Sequence, residues 1–265
     1  MVARRLETGS DSTILSGIRS ISDVNSARGT GLFPYPFRYF VIDNFLADND
    51  FSEVADYVQR VCWNSPYPSS KERDYGAQIF SLSRGSLGPL SFLINRKLIE
   101  EAGQVLDVPV TQYVDAAIHS HPPGSPSGWL HTDFNTGWFA DTPSQALVFS
   151  ERVNCDYRTG TLGSRQHRPR ELVRSIAFLF YFNKPWTEEH GGETVLCRSA
   201  IDDIANPLVR VPPLANRLLA FECSPISYHS FATTSVERQS VIFWSHAEPS
   251  EIAHRWPLSL RSGWK

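Results

Sequence analysis

Short apolar, β-prone stretches recur along the second half of the chain. They fall at 111–119, 173–183, 193–198, 216–223 and 235–246, with Pro, Gly, Ser and Asn between them. Many short strands separated by turn residues predict an all-β sandwich, and a jelly roll fits this number best. The first half follows other periods. Phe37 to Phe45 (FRYFVIDNF) is aromatic and β-branched and predicts a strand. Asp48 is an N-cap residue by type, and Phe51, Val54, Ala55, Val58 and Val61 then recur at helical spacing. Leu90, Leu93, Ile94, Leu98 and Ile99 mark one face of a second helix over 90–105. The expected fold is therefore mainly β with supporting helices. One domain spans 32–265, with helical and strand support over 32–110 and a jelly-roll core over 111–250. Residues 1–31 are rich in Ser, Gly and Arg, carry no period, and predict a loosely ordered lead-in. The stretch 139–172 breaks the rhythm and carries Arg152, Arg158, Arg165, Arg168 and Arg170; it is expected to be a structureless, lid-like insertion, with a disordered loop as the equal alternative.

Composition narrows the function classes. With 41% hydrophobic and 12% aromatic residues the chain supports a real core. A formal net charge of −3 supplies no general attraction to nucleic acid or acidic membranes. The longest apolar run, Ile176 to Phe182, is far too short to span a bilayer. Met1 to Asp11 has no apolar leader core. Cys62, Cys155, Cys197 and Cys223 are widely spaced, as expected of free thiols in a reducing cytoplasm. There is no G-x-S-x-G elbow, and Gly29-Thr30-Gly31 lacks the strand-to-helix setting of a phosphate-binding loop.

The residues that carry chemistry are His131, Asp133, His229 and Arg238. In an extended segment, His131 and Asp133 share a face. His229 lies before a predicted strand of the same core. Two histidines and one carboxylate suit one face of a metal and leave other positions open. After His229, Arg238, Ser240, Ile242 and Trp244 share one face of a strand. An arginine aimed into a β-core needs an anion, and its planar fork matches a carboxylate. Ser240 is placed to donate to the same carboxylate.

At this point the chain resembles the Fe(II)/2-oxoglutarate-dependent oxygenases, in their prolyl-hydroxylase-like branch. The resemblance rests on His131-x-Asp133, on His229, and on Arg238 nine residues later. It extends to the opening strand FRYFVIDNFL (37–46), to FLFYFNKPW (178–186), and to Gly191-Gly192-Glu193. It covers roughly 37–246. It implies a double-stranded β-helix, with Fe(II) held by His131, Asp133 and His229. It implies 2-oxoglutarate as co-substrate with its far carboxylate on Arg238, and O2 as oxidant. Tyr181 stands where some relatives have a tyrosine touching that carboxylate. Some relatives have another tyrosine ten residues before the first metal histidine, where this chain has His121. His121 either replaces that contact to the co-substrate or is a loop histidine beside Pro122-Pro123. Asp133 argues against halogenation, because halogenating relatives have Gly or Ala there.

The expected activity is hydroxylation or oxidative ring closure of a polar small metabolite in specialised metabolism. Asp115, Asp141 and Glu193 are expected to be structural, with pairing to a cationic group on the substrate as the alternative. A prolyl-peptide hydroxylase, a non-catalytic metal-binding β-barrel sensor and a zinc hydrolase are the alternatives. Arg238 and Ser240 favour the enzyme over the sensor, since a structural metal needs no co-substrate anchor. His119 is expected to be solvated or hydrogen-bonded. His167, His190, His246 and His254 are expected at the surface, and Trp129 and Trp244 in the core. Asn135 and Trp138 are weighed as substrate contacts.

Overall fold

A computed structural model describes residues 31–263, apart from 65–69, 72–75, 142–145, 152, 164–166 and 184. The lead-in predicted over 1–31 lies outside the described residues except for Gly31. In chain order the elements are β1 (Gly31–Phe33), β2 (Tyr39–Ile42), α1 (Asp48–Asn64), β3 (Ser70–Lys71), β4 (Gln78–Ser81), α2 (Arg96–Leu106), β5 (Tyr113–His121), β6 (Thr136–Ala140), β7 (Val148–Phe149) and β8 (Pro169–Tyr181). They continue with β9 (Thr194–Cys197), β10 (Val209–Val211), β11 (Arg217–Glu222), β12 (Tyr228–Phe231), β13 (Arg238–Ala247) and α3 (Pro249–Ala253). No helix among the described residues is long and apolar enough to cross a membrane.

Two sheets face each other. The large one runs β1-β2-β11-β8-β13-β5-β4-β3, with β6 added on β8 and β7 on β5. The small one runs β10-β9-β12. This is the jelly-roll arrangement expected. Period-2 alternation divides the long strands between two cores. Ile176, Phe178 and Phe180 of β8, with Val241 and Phe243 of β13, face outward onto α1 and α2. Phe178 and Phe243 are register partners whose rings stack at 4.3 Å. Ala177, Leu179 and Tyr181 point the other way, with Trp244, Leu219 and Phe221, into the space between the sheets.

The second helix starts later than its apolar pattern suggests. Asn95 is extended and accepts from Leu98 N, which caps α2 and leaves Gly88–Phe92 as a separate 3-10 turn. The stretch 139–172 needs a larger correction, because its described residues are not structureless. β6 pairs with β8 and β7 with β5, and Pro169 to Leu172 already belong to β8. Phe139, Tyr157 and Leu172 are buried together with Tyr113. Aromatic anchors with no helical or alternating spacing hold this segment, so periodicity does not reveal it.

Candidate metal centre and co-substrate pocket

His229 lies within β12, and the strand expected after it is β13. It exchanges backbone hydrogen bonds with His131 across the mouth of the small sheet, at 3.2 and 2.9 Å. Asp133 follows two residues on, with its carboxylate buried. One donor atom from each of His131, Asp133 and His229 lies within 4.8 Å of the other two. His131 Nδ1 is 3.0 Å from Trp129 O, and His229 Nδ1 is 3.0 Å from Ser227 O. A carbonyl only accepts, so each Nδ1 carries a proton and each Nε2 is the nitrogen turned toward the other donors. His229 Nε2 then faces Asp133 Oδ2 at 3.3 Å. A cation placed among these atoms would meet all three donors at once. Burial, reinforced by His229, lowers the His131 pKa to about 4, which keeps the ring neutral. Burial alone would raise the Asp133 pKa, but Arg174 and His229 outweigh it and hold the carboxyl well below its usual range. Two imidazoles and one carboxylate fit a divalent transition metal.

Arg174 was not among the residues expected from sequence. By alternation it shares the outward face of Ile176, Phe178 and Phe180. The register between β8 and β13 shifts at Ser245/His246, so that His246 pairs with Arg174. This bulge turns the arginine inward. There it donates to Asp133 Oδ1 at 2.9 Å and to Asp115 Oδ2 at 3.3 Å. Its guanidinium lies 3.8 Å from the Trp244 ring centroid, and Trp244 Nε1 donates to Asp133 Oδ2 at 2.7 Å. Trp244 is thus a core residue, as expected, that also grips a metal-site carboxylate.

Arg238 opens β13 and is buried on its inward face. It donates from Nε to Gly192 O at 2.8 Å and from Nη2 to Thr194 Oγ1 at 3.1 Å. Both acceptors are neutral. Its carbon Cζ sits 5.4 Å from the Tyr181 and Phe231 ring centroids. Burial lowers its basicity, and among the described residues no carboxylate forms an ion pair with it. Tyr181 meets this arginine, but its hydroxyl hydrogen-bonds Thr194 Oγ1 at 2.6 Å. Ser240 is fully buried, two residues beyond Arg238, and its Oγ has no hydrogen-bond partner among the described residues. The Gly191-Gly192 pair is required here. Both have positive φ, and a Cβ on Gly191 would lie 2.1 Å from Thr233 O.

His121 is the register partner of Arg238, and His119 that of Ser240. Both line the cavity, along with His131, Asp133, His229, Thr194, Arg238 and the apolar groups Trp129, Phe231, Ile242 and Leu179. His121 is therefore inside rather than in a loop, with its ring 4.3 Å from Phe231. His119 is half-buried and lines the same cavity. Burial, with Arg238 nearby, lowers His119 to about 4 and His121 to about 2, so both are neutral.

Other expectations are corrected. His246 is fully buried, not at the surface, and sits 2.7 Å from Tyr157 Oη. Asn135 donates to Ser262 O and so ties down the C-terminal segment instead of meeting substrate. Trp138 packs over Gly160. The three acidic residues have the structural partners expected of them: Asp115 pairs with Arg174, Asp141 with Arg170 and Glu193 with Arg210.

Residues 130–246 match the profile of the 2OG-Fe(II) oxygenase superfamily, which contains every residue of the triad and Arg238. No curated protein matches the chain in sequence. A Pseudomonas putida prolyl-4-hydroxylase is similar in fold, with TM-score 0.55 and 16% identity over 86% of this chain and 97% of its own. So is a prolyl hydroxylase from Trichoplax adhaerens, solved with a hypoxia inducible factor peptide fragment. It has TM-score 0.55 and 18% identity over 89% of this chain and 90% of its own. The jelly roll, the clustered His-Asp-His donors and the matched profile together identify a 2OG-Fe(II) oxygenase domain, that of a dioxygenase using Fe(II), 2-oxoglutarate and O2.

Proposed function

We propose that His131, Asp133 and His229 hold the Fe(II), that Arg238 holds the far carboxylate of 2-oxoglutarate, and that the substrate is a polar small metabolite. The observation that carries this reading is a buried arginine without a carboxylate partner opening onto the same cavity as a clustered His-Asp-His set. When bound, the metal and co-substrate supply O2 activation coupled to decarboxylation of 2-oxoglutarate to succinate and CO2, and with it the oxidation of a C–H bond. The protein's part is positional. Nδ1 hydrogen bonds fix both imidazole rings with Nε2 inward. Arg238 orients the co-substrate from the far end, and Ser240 has a free hydroxyl beside it. Arg174 pairs with both Asp115 and Asp133, so with Arg238 the four side chains sum to zero charge while Arg238 itself still lacks an anion. A divalent cation and a dianionic co-substrate then neutralise each other, which favours binding them together. The apolar walls, Ile242, Leu179, Phe231 and Trp129, keep water from the reacting centre.

A small metabolite is favoured by the size of the cavity, about 90 Å³, much of which the co-substrate would fill. The outcome is hydroxylation or oxidative ring closure. With Asp115, Asp141 and Glu193 engaged internally, a neutral hydroxylated compound suits the site better than a cationic one. A peptide hydroxylase is the second reading, since both similar structures are named prolyl hydroxylases. A panel of small metabolites and prolyl peptides, assayed for stimulation of succinate release, separates the two. Stimulation by peptides alone would reject the small-molecule reading.

A further inference from the structure

We propose that Arg174 is a positioning residue that limits Asp133 to one metal-binding oxygen. This rests on the ligand set proposed above. A carboxylate with both oxygens free is able to take two positions on a cation. A 2-oxo acid needs two of its own, and O2 a third. Arg174 charge-pairs with Asp133 Oδ1 at 2.9 Å, whereas Oδ2, the oxygen beside His229 Nε2, accepts one neutral hydrogen bond from Trp244 Nε1 at 2.7 Å and keeps a second lone pair for the metal.

The guanidinium has little freedom to let go. Its Nε donates to Tyr157 Oη at 2.9 Å, and its other two nitrogens reach Asp133 and Asp115. His246 Nδ1 is 3.1 Å from Tyr113 O, which only accepts, so His246 Nε2 is bare and takes the Tyr157 hydroxyl proton at 2.7 Å. Tyr157 oxygen is thereby free to accept from Arg174. Asp115 also accepts from Ser150 Oγ. Protons run one way, from Arg174 through Tyr157 to His246, and every member is satisfied. The Trp244 ring covers one guanidinium face and donates to Asp133 from the other side. The bulge that brings Arg174 inward serves this single contact set.

The test uses the full chain, loaded anaerobically with Fe(II). Arg174→Lys keeps the charge but replaces the fork by a point. Arg174→Met combined with Asp115→Asn removes guanidinium and partner carboxylate together, so neither is left alone in the interior. Thermal unfolding reports the fold. Competition with a chelator reports Fe(II) affinity, and the visible charge-transfer band of a chelated 2-oxo acid reports 2-oxoglutarate. In a folded variant we expect 2-oxoglutarate affinity to fall at least ~tenfold and the band to weaken, the size of effect usual for groups that orient a metal ligand. Fe(II) affinity should change much less. An unchanged band and affinity in either folded variant overturns the proposal, as does a parallel loss of Fe(II) and 2-oxoglutarate. Wild-type protein that binds no Fe(II) would instead overturn the ligand set.

Discussion

At the scale of single residues, the site depends on donors whose second atoms are already committed. His131 and His229 each spend Nδ1 on a backbone carbonyl, and Asp133 is held from two sides. With only three protein donors, replacing any one by alanine should abolish Fe(II)-dependent turnover while leaving the thermal transition cooperative. Metal binding at equilibrium, measured on each variant, checks this, and full Fe(II) affinity in one variant removes that residue from the set. Arg238→Ala should raise the 2-oxoglutarate requirement steeply and spare Fe(II) binding. The loss is on the order of 2–5 kcal/mol for a buried charge-assisted pair. Arg238→Lys should recover part of it, and unchanged 2-oxoglutarate dependence in Arg238→Ala would move the anchor elsewhere. These residues were legible in sequence because each is a chemically distinctive type at a fixed separation. His246 was legible too, since it continues the alternation of Arg238, Ser240, Ile242 and Trp244, yet its polar context suggested the surface. Thr194 was not, because a threonine in an apolar strand carries no signal that its hydroxyl joins Tyr181 to Arg238.

At the scale of elements, β8 and β13 do most of the positioning. They are register partners over most of their length, with one shift. Their outward faces anchor α1 and α2, and their inward faces supply Tyr181, Arg174, Arg238 and Trp244. The alternation that predicts a strand also predicts which face each residue takes, and it fails for Arg174 because a bulge changes the parity. Truncating the outward stack with Phe178→Ala should cost about 3–5 kcal/mol, read as a fall in the urea midpoint. Asn95→Ala should cost about 1 kcal/mol by uncapping α2. The segment 139–172 shows the limit of periodicity, since its order comes from β6, β7 and the Phe139–Tyr157 contact rather than from a repeat. Amides at Phe139, Trp138 and Leu172 should therefore exchange slowly with and without ligands. Fast exchange there, slowing when substrate binds, would restore a lid.

At the scale of the whole molecule, the space between the sheets holds several histidines in neutral form. Burial, with Arg238 beside His121 and Arg174 beside His246, lowers their pKa values to about 2 and about 3. Unfolded, each titrates near ~6.5. Below that pH the unfolded chain takes up protons that the native one refuses. The stability these groups contribute is therefore full above ~pH 6.5 and is lost as pH falls toward their native values. Each adds a slope of up to about 1.4 kcal/mol per pH unit. Asp133, held below its ordinary range, adds loss in the same direction only below about pH 4. The metal-free protein should thus weaken between pH 6.5 and 4, before its carboxylates protonate. A urea midpoint that stays flat across that interval contradicts the buried neutral histidines.

The central claim is that one cavity joins a three-residue metal site to a carboxylate anchor and turns over 2-oxoglutarate. Succinate release by the Fe(II)-reconstituted chain, measured with O2 and without added substrate, tests it most directly. Slow succinate formation that needs both Fe(II) and 2-oxoglutarate is expected. It should vanish in His229→Ala and return in Arg238→Ala only at much higher 2-oxoglutarate. Succinate no higher than in the metal-free control, or equal in His229→Ala and wild type, would contradict it.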